Sequence, residues 1–394
     1  MYQSVNATQR QTVRRADKNV KAGNIKCEDG SRIDFESPQY PRNEDLDRLS
    51  SKNIYDFKPF DRPDQAGYYQ LTNTGLFQNR NSAGTSANRA VSVEHILEWQ
   101  ILLDFVRSDS ARCSHITKYL ATQVRIDTEW SYIDSSGTVQ SKDATFDERA
   151  IDWVAHQYPS KDSKVNPFVY EFVSLHDGVN GRKERLWSEA SASTKKGTGP
   201  NGAAKKPSMV DADKWTKWTK QNKYQQQSPS KTGSKRKSKS WTISTNNEGK
   251  CNALVALRDI IGVYKYHSYS EIQSTLTAQI DRVGTALKYL EDGPLKATAY
   301  KPMPTSLESQ WNAYIKSKYS SVIADIESTM ESMKEDLEQA KVKRDWFSLL
   351  RRGAGKTTGP LCGLEPDKTK MNNRIALLVK EYEAVKGKWK NPKP

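Results

Sequence analysis

The chain has 394 residues with 62 Lys and Arg against 47 Asp and Glu, a formal net charge of +15, a hydrophobic fraction of 35% and a mean hydropathy of −0.83. That is enough apolar material for one large core or two ordinary ones, with much of the length left in solvated loop or surface helix. No apolar run approaches a bilayer span, and the opening Met1-Tyr-Gln-Ser-Val-Asn-Ala lacks the apolar centre of a signal peptide.

Residues 1–60 are polar and turn-rich and read as an irregular arm, with one short strand at Ile33-Asp34-Phe35. Residues 61–90 hold aromatic-containing turns (Tyr68-Tyr69, Phe77) and an Asn/Ser/Gly-rich loop. The stretch 89–106 follows, and the chain is centred on it. Ala90-Val91-Ser92-Val93 alternates as a half-buried strand does. Ile96, Trp99, Ile101 or Leu102, Leu103 and Val106 then recur at helical spacing. At the junction stand Glu94 and His95, a carboxylate and an imidazole that are costly to desolvate without partners or a task. One reading makes His95 a hydrogen-bonded core histidine and Glu94 a helix cap. The other gives both a chemical role.

A second helix is expected over 108–120, with Cys113 and Tyr119 on its apolar side. The run 124–133 leads through Asp134-Ser-Ser-Gly137 into a hairpin with Thr138-Val-Gln. Residues 146–158 read as a helix that Pro159 ends. His115, His156 and His176 are expected to be structural, although one of them could approach the Glu94-His95 site. The segment 171–187 runs from an apolar stretch through the turn signal Asp177-Gly178 to Asn180 and a charged, helix-compatible end.

Residues 191–240 carry thirteen Lys and Arg against two Asp, so +11 of the whole chain's +15 lies there. This Lys/Ser/Gly/Gln-rich composition without apolar periodicity is that of a disordered linker. Within it, Lys214-Trp215-Thr-Lys-Trp218-Thr-Lys220 interleaves cations with indoles, as single-stranded nucleic acid or another anionic surface would require. The equal alternative is a solvated insertion whose two Trp dock onto the body. The cluster Lys235-Arg236-Lys237 and its neighbours reads as a polyanion-binding or nuclear-targeting run, or in a secreted protein a dibasic processing site. Beyond it, helices are expected over 251–267, 269–290, 307–349 and 371–385, with Pro294 breaking the second. The Gly-Lys-Thr at 355–357 is not a phosphate loop, because the position that needs the first glycine is Leu350. Cys27, Cys113, Cys251 and Cys362 form no CxxC, which excludes a zinc knuckle and leaves two disulfides or four buried thiols open.

Glu94-His95 at a strand end and Asn180-Gly-Arg182-Lys183 opening a helix together resemble the HNH, or ββα-metal, nucleases. The resemblance implies that Glu94 and Asn180 ligate a divalent metal (Mg, Mn or Zn). It makes His95 the general base, with Glu94 also part of the catalytic pair, and Arg182 or Lys183 a phosphate contact. Base-activated water and a metal that holds the phosphate charge would then hydrolyse DNA or RNA. The separation of the halves is longer than in that family, so an insertion must lie between them. Val93-Glu-His-Ile-Leu-Glu-Trp-Gln100 and Lys288-Tyr-Leu-Glu-Asp-Gly-Pro294 also resemble a region of secreted fungal proteins, including the part after the barrel in killer-toxin-like chitinases. No paired-acid strand end of a glycoside hydrolase is present.

The expectation is therefore an α+β, mostly helical fold with a small ββα-type core and a C-terminal helical bundle. Its divisions are an arm at 1–60, a catalytic core at 61–190, a basic insertion at 191–245 and a helical domain at 246–394. The expected function is a metal-dependent nuclease acting as a secreted toxin or effector. It would bind nucleic acid through Arg182, Lys183, Lys214, Trp215, Trp218, Lys235, Arg236 and Lys237, and be accompanied by an immunity or carrier protein. The alternative is a non-catalytic secreted fungal protein that binds a partner protein or cell-wall polymer.

Overall fold

The computed structural model describes residues 22–36, 38–41, 54–57, 71–73, 91–108, 110–133, 138–160, 167–187, 244–297, 303–339 and 368–394. Strands β1 (Ala22–Lys26) and β2 (Arg32–Glu36) form a hairpin. Asp29 accepts the Ser31 amide at 2.9 Å in its turn, where Gly30 takes a φ of 82°. The left-handed conformation there suits glycine, which has no Cβ to clash. Short strands β3 (Ile54–Phe57), β4 (Leu71–Asn73) and β5 (Val91–Glu94) follow.

Helix α1 (Trp99–Arg107) buries Trp99, Ile101, Leu102, Phe105 and Val106. Helix α2 (Ser110–Leu120) turns Cys113, Ile116, Thr117 and Leu120 inward. Cys113 is disulfide-bonded to Cys27, which holds the β1–β2 hairpin against α2. The long hairpin β6 (Gln123–Ile133) and β7 (Val139–Arg149) comes next, then α3 (Ala150–Ala155) and a 3-10 turn at Pro167–Glu171. Strand β8 (Val173–His176) runs directly into α4 (Asp177–Trp187). The second half is helical: α5 (Ser244–Ser268), α6 (Ser270–Asp292), α7 (Leu307–Gln339) and α8 (Lys368–Val385).

The fold is α+β and mostly helical, with small sheets and C-terminal helices, as expected. The central sheet has the order β4-β3-β8-β5, with β3 parallel to β8 and β5 antiparallel to it. One apolar core runs without a break from Ile25 to Trp389. In α6 its members are Ile272, Leu276, Ile280, Val283, Ala286, Leu287 and Leu290. In α7 they are Leu307, Trp311, Ile315, Tyr319, Val322, Ile326, Met330 and Met333, one stripe at three- and four-residue steps. Trp311 donates its indole N–H to the Ile280 carbonyl at 3.0 Å and locks α7 to α6.

Several boundaries depart from expectation. The arm at 1–60 holds three strands, β1, β2 and β3, where one was expected, and α5 begins at Ser244 and not at 251. Residues 146–149 belong to β7, not to a helix, because Phe146 pairs with Ile126 and Arg149 with Gln123 across the hairpin. The helix expected from Ile96 begins at Trp99, since the backbone at 95–98 serves the site described next. The turn at 134–137, the end of the expected helix at 340–349 and the Gly-Lys-Thr loop lie outside the described residues. No helix among the described residues is long and apolar enough to cross a membrane.

Candidate functional site

The two sequence halves do meet. In the β5–β8 ladder Val91 stands opposite His176 and Glu94 opposite Val173. Because α4 starts immediately after His176, it begins level with Val91 and runs back along β5. Ser92 Oγ bonds the Asp177 carboxylate at that starting point. Six residues of helix advance ~9 Å, close to the ~10 Å that three strand residues span. Lys183 thus arrives level with Glu94, whereas Asn180 stops about one helical turn short.

Lys183 is fully buried. Its Nζ donates to Glu94 Oε1 at 3.2 Å, Glu98 Oε1 at 2.5 Å and the His95 carbonyl at 2.9 Å. Three donors meet three acceptors, which saturates the ammonium. Burial alone would lower its pKa. The Glu94 and Glu98 carboxylates more than offset this and hold it above the ordinary lysine value, so the group is a cation. Both carboxylates are themselves only 6% exposed. Glu98 precedes α1 without bonding its first-turn amides, because its carboxylate is turned to Lys183.

His95 has no exposed surface. Its Nε2 lies 2.9 Å from the Pro159 carbonyl, which can only accept, so Nε2 carries a proton. Tyr40 at 4.3 Å, Phe172 at 4.6 Å and Tyr158 at 6.2 Å between ring centres enclose it. A second polar chain braces the same loop. Gln279 of α6 accepts the Leu97 amide at 2.8 Å and donates to Glu171 at 2.8 Å. Arg282 grips Glu171 at 2.7 and 3.0 Å and stands 3.5 Å from the centre of the Phe168 ring.

The remaining sequence candidates are placed as follows. Asn180 is half-buried, and its Oδ1 has no hydrogen-bond partner among the described residues. Arg182 is half-buried near Asp259 of α5. Lys214, Trp215, Trp218, Lys235, Arg236 and Lys237 lie outside the described residues. His156 bonds Glu148 at 2.9 Å, His176 Nδ1 accepts the Gly178 amide at 3.1 Å, and His115 stacks on Tyr119.

As arranged, Glu94, one of the two residues expected to hold a divalent metal, has its Oε1 on the Lys183 ammonium, and the Nε2 of His95, the expected general base, is directed at a peptide carbonyl. Of Arg182 and Lys183, either of which the nuclease resemblance offers to phosphate, Lys183 is the internal counterion of Glu94 and Glu98. Sequence reasoning gave no role to Glu98, Glu171, Gln279 or Arg282. The available signals were the four-residue step from Glu94 to Glu98 and the Gln279/Arg282 pair, three residues apart on an otherwise apolar face of α6. Comparison with family models, curated proteins and solved structures finds no match to this chain.

Proposed function

We propose that this chain is a secreted, non-catalytic binding protein whose folded body is a rigid scaffold and whose segment 191–240 engages an anionic polymer, nucleic acid foremost. The observation that carries the non-catalytic part is the saturated Lys183 ammonium between Glu94 and Glu98, a closed ion cluster without an exposed acid or base. The net +11 of the basic segment and its Lys/Trp alternation support the polymer. Phosphate neutralisation releases counterions and stacking tolerates any base. The Cys27–Cys113 disulfide supports an oxidising compartment.

The test compares the full chain with one lacking 191–240, using single-stranded DNA and RNA oligonucleotides and a neutral glucan at several salt concentrations with Mg²⁺ or Mn²⁺. The full chain should bind the oligonucleotides without cutting them. Its log–log salt slope should fall by about 0.7 for each phosphate contact removed with the segment. An unchanged slope after deletion makes the charge merely solubilising. Chelator-sensitive cleavage that disappears in folded Glu94→Gln and His95→Ala proteins would reinstate the metal-dependent nuclease.

A further inference from the structure

His267 lies in the last turn of α5 and is fully buried. Its imidazole stacks flat on Trp389, centres 4.3 Å apart and planes 8° apart. Trp187 of α4 and Tyr266 meet it edge-on at 6.0 and 4.9 Å. Neither ring nitrogen has a hydrogen-bond partner among the described residues. The charge acting on it is the Lys183 ammonium, whose own carboxylates, Glu94 and Glu98, are engaged on that cation. The other titratable groups around the compartment are Tyr319 of α7, against Trp187, and Tyr264 of α5, against Trp389. Glu327 of α7 bonds the Tyr264 hydroxyl, and Glu381 of α8 bonds Lys265. From α6 the neutral amide of Gln273 comes in, donating to the His267 and Lys388 carbonyls.

The wall that Trp389 provides belongs to the segment that follows α8, outside any helix or strand. Segment 386–394 is held by the Gly387 amide on Tyr264, by Gln273 on the Lys388 carbonyl, by Asn391 on the Lys316 carbonyl and Ser320, and by the surface pairs Lys386–Glu331 and Lys393–Asp281. Helix α5 is by contrast embedded in the core on several faces.

We propose that His267 is an acid-sensitive latch for segment 386–394: the neutral ring seats Trp389 and seals the core, and the protonated ring drives the segment off. An imidazolium there would carry two N–H donors without acceptors and a second positive charge in the compartment that already holds Lys183. Burial first, and Lys183 second, push the imidazole well below its usual range in the closed form. Once released, it returns to about 6.5. Its closed-state value is thus the depressed one, so closure is at full strength above about pH 6.5 and weakens as pH falls. One proton taken up on opening multiplies the open fraction about tenfold per pH unit.

Hydrogen exchange on the full chain between pH 4 and 8, expressed as protection factors corrected for intrinsic rates, tests this. Amides of 386–394 should lose about tenfold protection per unit below pH 6.5, while amides of α5 and α6 hold theirs. His267→Phe should flatten the profile with the segment still closed, and Trp389→Ala should leave the segment open at every pH. A flat wild-type profile, an unchanged slope in His267→Phe, or core amides that fall together with the segment would overturn the latch. Should His267→Phe fail to fold, the wild-type slope measured against the core amides decides alone.

Discussion

Lys183→Met is the sharpest perturbation of this fold. Methionine replaces the aliphatic stem at similar volume, so packing changes little. The ammonium vanishes, however, and takes from Glu94 and Glu98, each 6% exposed, the cation that both share. Removing one partner of a buried ion pair costs roughly 3–5 kcal/mol, because the remaining charge can neither return to water nor find a partner. At roughly 2–4 °C per kcal/mol for a large domain, melting should fall by roughly 6–20 °C. Urea unfolding followed by tryptophan fluorescence measures the same loss. The companion variant Glu94→Gln/Glu98→Gln/Lys183→Met removes all three charges and should recover most of it, since the penalty belongs to the unpaired ions and not to the cavity. A single-variant loss below about 1 kcal/mol, or a triple variant no better than the single, refutes the account of a closed ion cluster.

Gly178→Ala should cost about 1–3 kcal/mol in thermal melts. A Cβ there would sit 2.6 Å from Asp259 Oδ2, and Asp259 is pinned by Arg258 at 2.7 Å with both residues buried. A neutral outcome would mean that α4 shifts freely on α5. Opening the Cys27–Cys113 disulfide, which joins residues 86 apart, should cost about 4–5 kcal/mol by chain entropy. Denaturant midpoints with and without reductant measure it, and non-reducing peptide maps should recover the linked pair. His95→Phe should fold with a loss of about 1–3 kcal/mol, from the Pro159 carbonyl left without its donor. A collapse of the fold would mean that the ring does more than fill its aromatic enclosure.

What the sequence made legible was local. The stripes of α6 and α7 could be traced residue by residue, because a long amphipathic helix repeats its signal many times. Glu94 and His95 stood out because polar groups between a strand and an apolar helix need an explanation. Their partner did not, because Lys183 is 89 positions from Glu94 and only the β5–β8 register brings α4 alongside. Read in its own neighbourhood, Lys183 belongs with Arg182 as one more exposed cation after Asn180. The start of α3 was misjudged for the same reason. Phe146 fits the spacing of Trp153 and Val154, and only its cross-strand partner Ile126 keeps it in β7. Parity allowed several cysteine pairings, and nothing in the spacing singled out Cys27 with Cys113.

The β5–β8 ladder has a kinetic consequence. The hairpin β6–β7 and the helices between the two strands are local and can form early, but β5 must wait for β8 and α4 to be made. Until then Glu94 and Glu98 rest in water, where their charge is fully solvated. Any collapse that closes this part of the core before Lys183 arrives would strand two bare carboxylates in an apolar interior, at a cost of several kcal/mol. Premature closure is thereby penalised, and sheet and helix are driven to lock together in one late, cooperative step. The ion cluster works as a checkpoint on the order of assembly, set by a pair of charges that cannot be hidden before their counterion has been made.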